Sequence, residues 1–185
     1  FRVADVFNTQ EEASADQKKS YEEYMKRSEA ESEVQKEKDI KTIEDWCKSK
    51  NISVEKAPKG TLVHLESQGN GAACDSGKFV SVMYTGKTFE GEAFDSNIDP
   101  KFQHAGQPFT LQIGVGGAIQ GWDDGLRLFK EGGKGTLYIP SSLAYGKQGR
   151  GDKIKPNANL IFDVEVVKVS DSMPRPQTPP QAPGK

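Results

Sequence analysis

The distribution of glycine and proline divides this 185-residue chain into parts that must fold differently. Neither residue occurs before Pro58, whereas eighteen of the nineteen glycines fall between Gly60 and Gly151. Helix interiors exclude glycine and proline, and the turns of a β-sheet need them. We therefore expect a helical extension over residues 1–57 and a strand-rich domain over residues 58–169. Residues 170–185 hold five of the ten prolines and are expected to be a disordered tail.

The helical extension is mostly charged, with apolar residues at helical spacing near its two ends. These are Tyr21, Tyr24 and Met25, and then Ile40, Ile43, Trp46 and Cys47. A single helix over this segment would extend about 60 Å. Two interpretations stay open: an arm for dimerisation or for holding clients, and a solvated spacer helix whose C-terminal end is docked.

Charge and composition exclude several classes of function. A net charge of -2 gives no electrostatic case for nucleic-acid binding, and no apolar run approaches the ~18 residues of a membrane span. The chain starts at Phe1 without a methionine, so we regard it as processed or truncated.

Cys47 and Cys74 are compatible with one disulfide or with two buried thiols. No metal site or cofactor is expected.

Alternating apolar residues predict at least five strands in the second part, in the segments TLVHLES, KFVSVMY, PFTLQIG, KGTLYIP and NLIFDVEVVKV. In the last of these, one face of the strand would carry Leu160, Phe162, Val164 and Val166. One short helix is predicted over residues 119–129. Strands without crossover helices between them indicate an antiparallel α+β fold.

The glycine loop at residues 114–117 could be mistaken for a nucleotide-binding motif. A dinucleotide fingerprint needs a third glycine at the sixth position, which is Ile119 here, and the lysine of a P-loop is missing. The loop is better explained as a sharp strand-to-helix turn that brings Ala118, Ile119 and Trp122 to a common hydrophobic site.

Five motifs in register give the second part a family resemblance. They are VMYTGK, EAFDSN, PFTLQIGVGGAIQGWDDGL, IPSSLAYGKQGRG and PNANLIFDVEVVKV. Residues 60–169 thereby resemble the FK506-binding (FKBP) type of peptidyl-prolyl cis-trans isomerase. This resemblance implies a twisted antiparallel β-sheet wrapped around a short helix, with proline-containing polypeptides as clients. The helical extension is similar to that of bacterial envelope members with a dimerising or chaperone-like arm. This second resemblance implies a periplasmic or envelope location, with the cytoplasm as the alternative, and a homodimer that forms through the helix.

The resemblance also assigns roles within a pocket. Catalytic roles fall to Tyr84, Asp95, Ile119, Trp122, Tyr145 and Phe162. Trp122 would be the floor, Ile119 would offer a backbone N–H and Tyr145 a hydroxyl to substrate carbonyls, and Asp95 would orient polar groups at the rim. The substrate would further contact Phe94, Phe109, Ala118, Ala144 and Ile154. Taken singly, each of these aromatics would be interpreted as a core residue.

Two departures from the family pattern affect the rim of this pocket. Residues 96–108 form an insertion without the arginine that family members pair with the aspartate, and the loop after Tyr145 carries Arg150 and Lys153. His104, in the insertion, is expected to be an exposed loop residue. Macrolides such as tacrolimus are expected ligands, with an affinity that these loops change. The alternative function is a non-catalytic peptide-binding or chaperone module; retention of the pocket aromatics favours the enzyme, and a nucleotide-dependent enzyme is remote.

Overall fold

A computed structural model describes residues 10–174, apart from the side chains of 11–13. Most of the predicted tail, residues 175–185, and the first nine residues of the extension lie outside this part. Among the described residues, no helix is long and apolar enough to cross a membrane.

The extension forms one continuous helix, α1, from Gln10 to Ser49. Its forty residues correspond to about 60 Å, as the absence of glycine and proline predicts. Two residues after the last helical residue, Asn51 takes a left-handed φ of 57°, and the N–H of Ile52 closes the last turn on the carbonyl of Cys47 at 2.9 Å. An asparagine tolerates this backbone conformation better than most residues, so the stop is encoded locally.

The second part is a seven-stranded antiparallel sheet. Its strands are β1 (Glu55–Lys56), β2 (Leu62–Ser67), β3 (Phe79–Thr88), β4 (Ala93–Ser96), β5 (Phe109–Gln112), β6 (Lys134–Ile139) and β7 (Leu160–Ser170). Their order is β1-β2-β6-β7-β3-β4, with β5 also paired to β3. The five predicted strands are present, and the antiparallel fold is confirmed.

A short helix, α2 (Gln120–Gly125), packs on one face of the sheet. It ends earlier than the predicted 119–129, because Leu126–Leu128 form a 3-10 turn and Phe129 is extended. The extended backbone lets the N–H of the next residue, Lys130, reach the carbonyl of Gln68 at 2.8 Å. The predicted helical spacing still holds for burial, since Trp122, Leu126 and Phe129 all enter the core.

The C-terminal half of α1 covers the opposite face of the same sheet. Along β6, Leu137 and Ile139 face the α2 core, whereas Tyr138 between them packs with Ile43 and Cys47 of α1. This alternation is the side-chain period of two of a β-strand. The sheet therefore lies between two helices, one from each part of the sequence.

The two cysteines lie on opposite sides of the sheet. Cys47 belongs to the cluster beneath α1 and Cys74 to the α2 core, and both are buried, free thiols. The prediction of a possible Cys47–Cys74 disulfide is therefore wrong, because the strands of the sheet separate the two sulfur atoms. The other alternative, two buried thiols, agrees with the structure.

Candidate active site

The glycine loop turns the chain from β5 into α2. Gly114 and Gly116 have φ values of 85° and 77°, a left-handed conformation that glycine adopts without strain. The backbone N–H of Gly114 also donates to the Asp123 carboxylate at 3.0 Å, which ties the loop to the helix it precedes. As the sequence predicts, this is a strand-to-helix turn, and it places Ala118, Ile119 and Trp122 around one cavity.

Aromatic rings surround the indole of Trp122 on three sides. The ring centroids of Tyr84, Phe162 and Phe109 lie 5.0, 5.3 and 5.7 Å from it, each at an interplanar angle of 84°. Phe94 extends the wall by meeting Phe162 edge-on at 5.6 Å. Edge-to-face contacts of this kind are attractive and fix the ring orientations. Phe109 keeps 38% of its surface exposed, so the box is open on that side.

These rings line a cavity of about 800 Å³. The structure brings together at this cavity all but one of the residues assigned from the family resemblance: Tyr84, Phe94, Asp95, Phe109, Ala118, Ile119, Trp122, Ala144, Tyr145 and Phe162. The exception is Ile154, which is 4% exposed and belongs to the hydrophobic core. Its backbone pairs with that of Arg150, so Ile154 supports the loop beside the cavity and does not line it.

Two hydrogen bonds between side chains occupy the rim. The hydroxyl of Tyr84 donates to the carboxylate of Asp95 at 2.7 Å. Burial, together with this bond to a carboxylate, raises the pKa of Tyr84 well above its usual range, so the phenol stays protonated. On the other side, Nη1 of Arg150 donates to the hydroxyl oxygen of Tyr145 at 2.8 Å.

The sequence identifies Arg150 only as a charged residue of a loop that affects the rim, and it does not predict the bond from Arg150 to Tyr145. The insertion lacks an arginine, but the later loop places Arg150 at the rim of the same cavity, where it binds Tyr145 and not Asp95. The charged composition of that loop was the available signal. No local pattern indicated that this arginine would bind the Tyr145 hydroxyl.

The insertion contributes a second group of unforeseen residues. Asn97 is buried: its side-chain oxygen accepts from the Tyr84 N–H at 2.6 Å, and its amide donates to the carbonyls of Val82 and Gln107 at 2.9 and 2.8 Å. This network holds the start and the end of the insertion against β3. His104 is an exposed loop residue, as expected, yet it also borders the cavity.

The cavity offers aromatic surface with a few polar groups and no assembled metal site. Among residues 10–174, no group of three or more His, Cys, Asp or Glu side chains could hold a metal ion. The arrangement suits a ligand with an apolar ring and adjoining carbonyl groups, which is the chemistry of an X-Pro segment.

Comparisons with known proteins agree with this geometry. Residues 71–167, more than half of the chain, match the FKBP-type peptidyl-prolyl cis-trans isomerase family. An FK506-binding protein of Neisseria meningitidis serogroup B is 44% identical over 110 residues, which cover 60% of this chain and 96% of that protein.

Two further relatives extend beyond the isomerase domain. A probable FKBP-type peptidyl-prolyl cis-trans isomerase of Haemophilus influenzae is 39% identical over 135 residues, covering 73% of this chain but only 52% of the relative. The crystal structure of FkpA from Escherichia coli superposes with a TM-score of 0.59 at 29% identity, over 90% of this chain and 76% of that one. The chain thus belongs to the FKBP-type peptidyl-prolyl cis-trans isomerases, enzymes that accelerate rotation about X-Pro bonds and so assist protein folding.

Proposed function

We propose that the aromatic cavity is the site of catalysis and that it acts by holding a twisted X-Pro bond. Resonance opposes rotation about a peptide bond with a barrier of ~18–20 kcal/mol. At the top of this barrier the imide has lost conjugation and carbonyl polarity, so an apolar enclosure favours it over the planar ground state. A proline ring on Trp122, walled by Tyr84 and Phe162, would meet such an enclosure. No nucleophile and no proton transfer are required.

Two donors are available for the substrate carbonyls. Ile119 precedes the first turn of α2 with an extended backbone, so its N–H lies outside the helical hydrogen-bond ladder. The hydroxyl of Tyr145 accepts from Arg150, which leaves the hydroxyl proton free to donate. Tyr84, in contrast, already donates to Asp95 and serves as a wall.

The observation that supports this proposal best is the three rings that meet Trp122 edge-on. The test is cis/trans exchange of an X-Pro-Phe peptide, measured by NMR with and without tacrolimus. We expect Phe162→Ala to lower kcat/KM by more than about tenfold, since one side of the enclosure is lost. Phe89→Ala is the matched control, because Phe89 packs against Trp46 and Tyr138 on the other face of the sheet.

The outcomes separate an enzyme from a binding module. Catalysis in the cavity is supported if tacrolimus and the Phe162→Ala substitution each suppress the accelerated exchange while the Phe89→Ala variant stays active. Absence of exchange from folded protein that still binds the peptide would support the alternative, a non-catalytic peptide-binding module.

We further propose that the clients are proteins of a bacterial envelope. The superposition with FkpA includes most of the chain and therefore α1 as well as the isomerase domain. The helical extension is the part of the chain that resembles the bacterial envelope members, so its presence in this superposition supports the proposal. Immunodetection in fractionated cells tests the location; recovery of the full-length protein only from the cytoplasm contradicts it.

The N-terminal half of α1 supports a proposal of homodimerisation. Tyr21 and Tyr24 are 63% and 57% exposed, and Met25 lies beside them. Large apolar side chains grouped in this way on one helix mark an interaction surface. Light scattering should give twice the chain mass, and Tyr21→Ser with Tyr24→Ser should give a monomer. A wild-type monomer at micromolar concentration refutes the dimer.

A further inference from the structure

The C-terminal half of α1 is fixed to the loop that follows β6. Asp39 is only 4% exposed, and one oxygen of its carboxylate accepts from the backbone N–H and the hydroxyl of Ser141 at 3.0 and 2.5 Å. The other oxygen accepts from the side-chain amide of Gln35 at 2.7 Å. Hydrogen bonds to a buried carboxylate are strong, so helix and loop hold a defined spacing.

A groove of about 420 Å³ lies between this helix and this loop. One wall is a single face of α1, formed by Tyr24, Ser28, Ser32 and Gln35 at spacings of four, four and three residues. The facing wall is formed by residues 141–142 and 144–148 together with Asn157. An ion pair between Lys147 and Glu31 spans the two walls.

The groove adjoins the aromatic cavity. Ala144 and Tyr145 line both spaces, so the 144–145 segment is the partition between them. A polypeptide whose proline lies on Trp122 can continue past Tyr145 into the groove. The two spaces then form one extended surface for a single ligand.

The chemistry of the walls selects among ligands. Hydroxyl and amide groups predominate, which donate to and accept from a peptide backbone equally well. The charged lining residue, Lys147, is already paired with Glu31. A neutral, extended polypeptide therefore fits better than an anionic or a cationic ligand.

We propose that this groove is a second subsite, which binds the client residues that flank the isomerised proline on one side. The proposal rests on catalysis in the aromatic cavity. From Tyr24 to Gln35 the helix rises about 16 Å, a length that about five extended residues span. Clients longer than a tetrapeptide would thus gain binding from α1, and the arm would belong to the substrate site.

Matched peptides test this directly. The reference is the tetrapeptide Ala-Ala-Pro-Phe, and two longer peptides add five neutral polar residues on its N-terminal or its C-terminal side. We expect one extension to lower KM by about tenfold with kcat unchanged, because a few added hydrogen bonds suffice for that factor. Ser32→Trp, which fills the groove, should abolish this gain and leave the tetrapeptide kinetics unaltered. Ser14→Trp, on an exposed part of α1, is the matched control and should retain the gain.

Direct binding gives a readout that does not need turnover. The extended peptide that lowers KM is labelled with a dye and titrated with protein. Its fluorescence anisotropy should show about tenfold weaker binding to Ser32→Trp than to wild type or Ser14→Trp. The subsite is refuted if neither extension improves KM, or if the improvement survives in Ser32→Trp. Failure of wild-type protein to turn over the tetrapeptide would instead refute catalysis in the cavity, and anisotropy would still decide whether the groove binds peptide.

Discussion

Gly86 of β3 lies directly behind the aromatic wall, and Gly86→Ala should damage the site more than the fold. A Cβ atom at this position would lie 2.7 Å from Cε1 of Phe162 and 2.8 Å from Cζ of Phe94. Carbon atoms pack best about 3.5–4.0 Å apart, so both rings must move by about 1 Å. Phe162 cannot move freely, since the indole of Trp122 packs 5.3 Å from its centroid.

The size of both effects follows from this overlap. Overpacking a core by one methyl group costs about 1–3 kcal/mol, which for a chain of this size lowers Tm by about 2–4 °C per kcal/mol. A displacement of about 1 Å in a site can lower the rate by about a hundredfold. We therefore expect Gly86→Ala to reduce kcat/KM on the X-Pro-Phe peptide by ten- to a hundredfold while the protein stays folded at 10 °C, as checked by circular dichroism.

Gly125→Ala is the matched control for that experiment. Its added Cβ would lie 2.8 Å from Leu137 and 3.0 Å from Thr61, a similar overlap in the core but away from the cavity. The helical φ of -73° at Gly125 suits alanine. Both variants should lose stability, and Gly86→Ala alone should lose activity. Equal activity losses, or full activity in Gly86→Ala, would refute the argument that this glycine makes room for the wall.

Three other perturbations have defined outcomes. Asp95→Ala leaves the Tyr84 hydroxyl without its acceptor, and we expect kcat/KM on the same peptide to fall by about tenfold. Cys47 and Cys74 should resist a thiol reagent at pH 8 in native protein and yield two thiols per chain in urea; a non-reduced protein yielding none would contradict the free thiols. Burial raises the pKa of Cys74 and that of Tyr138 to about 12, against ~8.5 and ~10 in an unfolded chain. The folded state therefore retains protons that the unfolded state loses, so the free energy of unfolding should keep their full contribution below about pH 8 and decline as the pH rises towards 12. Urea titrations at pH 7 to 10 check this, and a rise in stability over that range would contradict it.

Local patterns predicted the parts of the fold that depend on local physics. The absence of glycine and proline predicted α1, and alternation predicted β7, whose inward residues Leu160 and Phe162 are buried. β4 escaped prediction because its four residues are half polar and become a strand only by pairing with β3. There the hydroxyls of Thr85 and Ser96 meet at 2.8 Å, a contact that no single segment encodes.

The residues of the site show the same contrast between features that a single segment encodes and features that depend on contacts between segments. The aromatic residues were identified through family motifs and meet at the cavity, whereas the contacts of Arg150 and Asn97 were not predicted. Arg150 reaches Tyr145 through the conformation of its loop, and Asn97 joins β3 to the end of the insertion. Each of these contacts depends on where separate segments come together, which composition and spacing do not specify.

The contacts of Asp39 show that residues on the two sides of the composition boundary near residue 57 depend on each other for packing. In the run KEKDIKTIEDWC nothing distinguishes Asp39 from its charged neighbours, yet it alone binds Ser141, 102 residues away, and is buried. Gly60, with a φ of 116°, lies so close to α1 that a Cβ atom there would be 2.8 Å from Ile40. The first glycine of the chain therefore serves the contact between the two parts. Removing α1 would leave the buried Ser141 hydroxyl without its acceptor and expose Tyr138 of the sheet, which a buried face of α1 now covers. The change of composition near residue 57 thus marks a change of secondary structure between two parts that pack against each other.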